Sequence, residues 1–169
     1  MKNIKIFIVV SSLLIILFMP FLQVLVVKKF GASNKDNIYF SYKAAKKGFA
    51  ICYTHSVNKG RVTDLYKKGD NTNLILYQTN FVNYGAGISE VDEIPNSKFV
   101  ILEDGKYALT NINRELKSFL MAVGVVANHS IIIEEKEYFL DEYFKSQTRL
   151  EIFIKRVCLF EYLFLSQKF

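Results

Sequence analysis

Residues 49–66 read FAICYTHSVNKGRVTDLY. Aromatic and β-branched side chains fill both halves of this stretch, and Asn58-Lys59-Gly60 separates them. That composition predicts two strands, Phe49 to Val57 and Arg61 to Lys67, folded on each other through a short turn. Period-two alternation puts Phe49, Ile51, Tyr53, His55 and Val57 on one face of the first strand. Ala50, Cys52, Thr54 and Ser56 take the other face. A hairpin of this kind needs further strands to bury its apolar face.

The flanking sequence supplies them. Ile38 to Tyr42 reads as a short strand, Gly69-Asp70-Asn71 as a turn, and Leu74 to Phe81 as the next strand. Phe99–Glu103 and Tyr107–Thr110 flank Asp104-Gly105, a dipeptide that tolerates positive φ and favours tight hairpins. Residues 128–133 and 138–143 flank an acidic turn, and Leu150 to Val157 alternates as a half-buried strand. Segment 113–126, NRELKSFLMAVGVV, starts like a helix and ends like a strand. With strands on both sides, strand from Phe119 onward is the better reading. The 15 Phe and 10 Tyr provide the core that a small domain otherwise lacks. The expected fold class is all-β, a small mostly antiparallel sandwich or open barrel.

The N-terminus differs in kind. Ile6 to Val27, IFIVVSSLLIILFMPFLQVLVV, is free of charge, with Lys2 and Lys5 before it and Lys28 and Lys29 after it. As a helix it would extend roughly 33 Å, enough for a hydrocarbon core of about 30 Å. A cleaved signal has a shorter apolar region and a small-residue cleavage site, and no Ala-x-Ala pattern is present here. The length therefore predicts one retained N-terminal transmembrane helix, with an uncleaved signal as the alternative. Lysines at both ends leave its orientation open. The expected organisation is an anchor at 1–30, a linker at 31–36, a β-domain at 37–157 and an apolar tail at 158–169. That tail, CLFEYLFLSQKF, has to pack on the domain, on a partner or on the membrane surface.

The net charge of +6 reflects the same region. Four lysines and no acid fall in residues 1–30, so the other basic side chains, 22 less these four, nearly balance 16 acids. No basic stripe with interleaved aromatics exists, which argues against nucleic acid as a partner. Cys52 and Cys158 are the only cysteines. They read either as a pair or as two buried thiols packing like small apolar residues. No Cys-x-x-Cys or His-x-x-x-His spacing points to a metal, and no cofactor fingerprint is present.

The residues with chemistry are few. His55 and Ser56 are adjacent on an extended strand and point oppositely, which does not make a nucleophile–base couple. No Gly-x-Ser-x-Gly elbow occurs either, so no catalytic residue is assigned. If the hairpin register agrees, Asp64 faces His55, and the pair is either a buried polar clasp or part of a site for a small anion or a partner. Tyr53 shares that face. Gly85-Ala86-Gly87, after Tyr84, reads either as a backbone anion nest or as a bend that exploits glycine. His55, Asp64, Tyr53, Tyr84, Gly85 and Gly87 are thus the candidate ligand or partner contacts.

Several of these stretches together resemble a known family. Phe49-x-Ile51-x-Tyr53-Thr54-His55-Ser56-Val57, Val62-x-Asp64-x-Tyr66 and Phe81-x-x-Tyr84-Gly85-Ala86-Gly87 are similar to the domain of unknown function 1850 family. So are Asn128-His129-Ser130-Ile131 and the closing Lys155-Arg156, over roughly residues 37–157. One departure is Asp64, where the family usually carries Glu. The resemblance implies a small protein with an N-terminal hydrophobic segment, encoded beside TAXI-type TRAP transporters and sometimes fused to the permease. It therefore implies a non-enzymatic accessory protein, membrane-anchored on the extracytoplasmic side, with the permease or its binding protein as partner. An organic-anion binding or sensing domain is the alternative, and a hydrolase a weaker one.

Overall fold

The expected hairpin is the centre of a sheet. In the computed structural model, which describes residues 2–32, 38–57, 59–82, 94–164 and 167–169, β3 (Phe49–Thr54) pairs antiparallel with β4 (Arg61–Lys68). β5 (Leu74–Phe81), β6 (Lys98–Ile101), β7 (Tyr107–Leu116), β9 (Ser130–Ile133) and β10 (Lys136–Phe139) extend the sheet on both sides. Its order is β10-β9-β3-β4-β5-β7-β6, antiparallel throughout. Residues 113–122 are strand on both sides of Lys117, because β7 runs to Leu116 and β8 (Ser118–Ala122) follows directly. The chain crosses between sheets at that point.

The second sheet corrects the reading of the N-terminus. The apolar run from Ile6 to Val27 is not one helix. α1 (Lys2–Phe18) stops short of Pro20, and β1 (Leu22–Lys29) begins just beyond it. Pro20 cannot donate the helical N–H, and it disfavours helical backbone at the preceding Met19. The valines that follow prefer a pleated surface. No helix among the described residues is long and apolar enough to cross a membrane. The expected transmembrane span at 1–30 is therefore overturned, and its second half belongs to the β-domain.

β1 sits in the middle of the five-stranded order β12-β2-β1-β11-β8, with β2 (Ile38–Ser41), β11 (Arg149–Val157) and β12 (Gln167–Lys168). Leu25 and Val27 of β1 join Leu150, Ile152 and Ile154 of β11 on the inner face. They meet Phe49, Ile51, Tyr66, Leu74 and Ile131 of the seven-stranded sheet in one continuous core. The two sheets thus form a sandwich. Val24 and Val26, pointing the other way, are buried with Phe40 and Val157 against Tyr162. β1 is buried on both faces, which is why its sequence is uniformly apolar instead of alternating.

Tyr162 belongs to α3 (Leu159–Phe164), so the C-terminal tail packs on the domain. Cys158 starts this helix, its Sγ accepting from the Glu161 N–H at 3.3 Å. β12 then adds parallel to β2, and Phe169 stacks on Tyr39 at 5.1 Å between ring centres. Both cysteines are free thiols, Cys52 buried and Cys158 partly so. The expected linker at 31–36 lies mostly outside the described residues, which resume at Ile38. After β2, Ser41 caps the short α2 (Tyr42–Lys47), its Oγ accepting from Ala44 N–H at 3.2 Å. Gly48 ends α2 at φ 91°, where a Cβ would lie 2.6 Å from the Tyr66 carbonyl oxygen. Only glycine permits that approach.

Candidate functional site

The inner face of β4 carries Val62, Asp64 and Tyr66 by alternation. Asp64 lies opposite Ile51 of β3 on one side and Thr79 of β5 on the other. A carboxylate in this position has lost most of its water and needs a donor. The Thr79 hydroxyl supplies one, donating to Asp64 Oδ1 at 2.8 Å. Burial nevertheless pushes the Asp64 carboxyl above its ordinary value, against the pull of the Thr79 bond.

The space in front of Asp64 is a cavity of about 190 Å³. Among the described residues, Tyr53, Asp64, Thr79 and Arg114 are its polar lining, and Leu76, Leu109 and Ile112 are among its apolar walls. An irregularity in β7 shapes it. Gln78 pairs with Thr110, but Leu76 pairs with Arg114, so β7 spends more residues than β5 over the same length. The extra residues loop out at Asn111 and Asn113, with φ of 59° and 51°, and the Asn113 amide donates to Asn111 Oδ1 at 2.8 Å. Asn is among the side chains that best tolerate this left-handed backbone. The bulge buries Ile112 against the cavity and re-aims the strand so that the exposed Arg114 stands at its edge.

Tyr53 is held between the cavity and the second histidine. Its ring stacks on His129 at 5.8 Å. Burial, and then the Asp64 charge, push the Tyr53 phenol up to about 12. Burial also raises Tyr66, with Asp64 and Tyr53 contributing, so both phenols keep their protons at neutral pH. His129 Nδ1 accepts from the Gly124 N–H at 2.9 Å, which leaves the proton of the neutral imidazole on Nε2. Burial first, and Arg61 second, hold His129 below its ordinary pKa. Gly124 is required for this approach, because a Cβ there would sit 2.8 Å from the Ala127 Cβ and 3.0 Å from His129 Cε1.

Arg61 fixes the segment that carries His129. Its guanidinium donates to the Asn128 carbonyl at 2.7 Å, to Ser130 Oγ at 2.7 Å and to Glu137 Oε1 at 2.6 Å. Ser130 is fully buried and also donates to Glu137. Cys52 lies beside this cluster, its Sγ 3.4 Å from Thr63 Oγ1, and burial pushes its thiol up, away from the reactive thiolate. A second electrostatic clamp lies at the turn after β9. Glu134 takes Lys43 at 2.7 Å and Lys47 at 2.5 Å, and these two ammonium groups pull its carboxyl down to about 2.

Of the six residues singled out by sequence, the structure brings Tyr53 and Asp64 together. His55 is elsewhere. β3 ends at Thr54, and His55 organises the turn that follows: its N–H donates to Gly60 O at 2.9 Å, its carbonyl accepts from Lys59, and its Nδ1 accepts from Val57 N–H at 3.3 Å. The His55–Asp64 clasp does not form, since Asp64 lies opposite Ile51, about 13 Å of strand away from His55. Tyr84, Gly85 and Gly87 lie outside the described residues. Thr79, Arg114 and His129 were missed as a group. Thr79 shares the face of Phe81 by alternation, which is a signal, but Arg114 reaches the site only through the bulge. Among the described residues no three His, Cys, Asp or Glu side chains converge as a metal site would require.

The family model for the domain of unknown function DUF1850 matches residues 49–140, more than half of the chain. The chain belongs to this family. No curated protein and no solved structure matches it. The DUF1850 segment has a structural meaning here: it holds every strand of the seven-stranded sheet and only β8 of the other. Tyr53, Asp64, Thr79, Arg114 and His129 all fall within it. The central strands of the five-stranded sheet, β1 and β11, come from either side of the DUF1850 segment.

Proposed function

We propose that this DUF1850 protein is a non-enzymatic accessory protein, attached to the membrane on its extracytoplasmic side and working with a TAXI-type TRAP transporter. The observation that carries the attachment is α1. Most of its large apolar side chains are exposed, from Val10 at 48 % to Phe7 at 72 %, with Leu17 half-buried. A helix that is apolar all round requires an apolar environment. Its 17 residues rise about 25 Å, so α1 embeds in lipid or against a transporter helix without having to cross alone. Phe18 at its end meets Phe160 of α3 at 5.5 Å, which carries the apolar surface onto the domain. The transporter itself rests on the resemblance alone, and no contact among the described residues names it.

The site chemistry favours binding over turnover. The Tyr53 phenol stays protonated, His129 Nδ1 is occupied by Gly124, and the Cys52 thiol is buried. The test is recovery of the tagged full chain from gently solubilised native membranes, with partners identified by mass spectrometry. Permease and binding-protein subunits should accompany it. Recovery of the chain alone would remove the transporter from the proposal.

The cavity at Asp64 supports a second reading, a small-ligand binding or sensing domain. A half-buried carboxylate, two hydroxyls and an apolar wall are what a specific small-molecule site needs. A volume of about 190 Å³ suits a small metabolite more than a drug-sized ligand. Ligand-dependent change in melting temperature, abolished by Asp64→Asn, is the expected result. An unresponsive melt across small polar metabolites would sink this reading.

A further inference from the structure

We infer that the Asp64 cavity takes a small zwitterion, by chemistry an α-amino acid with a short side chain, its ammonium on Asp64 and its carboxylate on Arg114. The inference rests on the small-ligand reading above and names its ligand class. Two opposite charges face one cavity without being spent on each other. Among the described residues Asp64 has a single hydrogen-bond partner, the neutral Thr79 hydroxyl at 2.8 Å, and Arg114 has no ion-pair partner. Asp64 stands on β4 and Arg114 on β7, with β5 between them. Their partners on β5, Thr79 and Leu76, are three residues apart, about 10 Å along the strand, and two strand spacings add about 10 Å across, so the two backbone positions lie about 14 Å apart. A long, flexible guanidinium shortens that span to what a small ligand can bridge.

The same arrangement disfavours simpler ligands. A plain organic anion would satisfy Arg114 but would press its carboxylate or its chain toward Asp64, a like charge in a poorly solvated position. A plain amine would satisfy Asp64 and leave Arg114 unmatched. A zwitterion answers both, and charge-assisted hydrogen bonds at its two ends would fix its orientation. Leu76, Leu109 and Ile112 offer a surface for a short aliphatic side chain, and the Tyr53 hydroxyl is a further neutral polar group in the lining.

The test is thermal unfolding of the full chain in detergent micelles with three probe sets. L-alanine, L-serine and L-valine are the zwitterions, acetate and propionate the anions, and ethylamine and propylamine the cations. At millimolar concentration at least one amino acid should raise the melting temperature by several degrees, with no response to the other two sets. Asp64→Asn and Arg114→Gln should each abolish that shift while retaining the far-UV circular dichroism of the parent. Arg114 is exposed, so its variant carries the test if Asp64→Asn fails to fold. Stabilisation by propionate or propylamine equal to that by the amino acids would overturn the zwitterion while leaving cavity binding in place. No response to any probe would overturn both. A response to amino acids that survives both substitutions would place their binding elsewhere and overturn the inference.

Discussion

Leu25→Ala probes the strand on which the architecture turns. Leu25 has no solvent exposure, pairs with Ile154 on one side and Ser41 on the other, and points into the core between the sheets. The substitution removes about three methyl or methylene equivalents, worth about 0.8 kcal/mol each in transfer, or about 2.4 kcal/mol. A central strand hydrogen-bonded on both edges cannot collapse freely into the space, so a cavity term adds to this. The expected loss is about 3–4 kcal/mol, or about 10 °C in melting temperature for a domain of this size. Urea titration followed by far-UV circular dichroism, in a mild detergent that accommodates α1, measures it. Leu14→Ala is the matched control. It makes the same chemical change on a side chain 51 % exposed on α1, and stability should stay within about 0.5 kcal/mol. Coincident denaturation midpoints for Leu25→Ala and the parent would refute the placement of residues 22–29 in the sandwich. The apolar run would then have to be read as one membrane segment after all.

Gly124→Ala should cost about 1–3 kcal/mol, because the new Cβ collides with Ala127 and His129, and the His129 proton signals should shift in NMR spectra. Acid should destabilise the fold through His129. Its folded pKa lies below the ordinary value, so the unfolded chain takes up the proton first as pH falls through about 6.5, and stability is lost from there downward. Melting temperatures between pH 7.5 and 5.5 should therefore fall more steeply in the parent than in His129→Asn, and parallel curves would contradict the buried neutral imidazole. Val9→Lys places a charge in the middle of α1, where insertion in lipid costs about 2.5–3.5 kcal/mol, and should move the protein from the membrane pellet to the supernatant on fractionation. Arg61→Ala should lower stability by about 1–3 kcal/mol by leaving Ser130 and Glu137 short of a donor, and should loosen the segment bearing His129, read as faster amide exchange at 128–130.

What the sequence determined is what depends on near neighbours. The predominance of antiparallel sheet, the 49–66 hairpin, the strands at Leu74–Phe81 and Leu150–Val157 and the turn at Asp104-Gly105 follow from alternation and turn chemistry, and each is present. Alternation also set Tyr53 on the inner face. The tertiary structure alone decided the rest, for identifiable reasons. A strand buried on both faces and a membrane segment satisfy the same requirement, an uncharged apolar run, so Leu22–Lys29 could not be told from an anchor by composition. Pro20 marked the break, but proline also occurs in spanning helices, so it did not decide between them. Strand register is equally invisible locally: where the turn ends determines that Asp64 meets Ile51 and Thr79, and His55 is left to the turn. Arg114 arrives at the cavity because a distant strand bulges at two asparagines, and His129 reaches Tyr53 from the start of the neighbouring strand β9. Alternation assigns faces because it is a property of one strand; a site assembles from several, and their pairing is set by the packing of the whole sandwich.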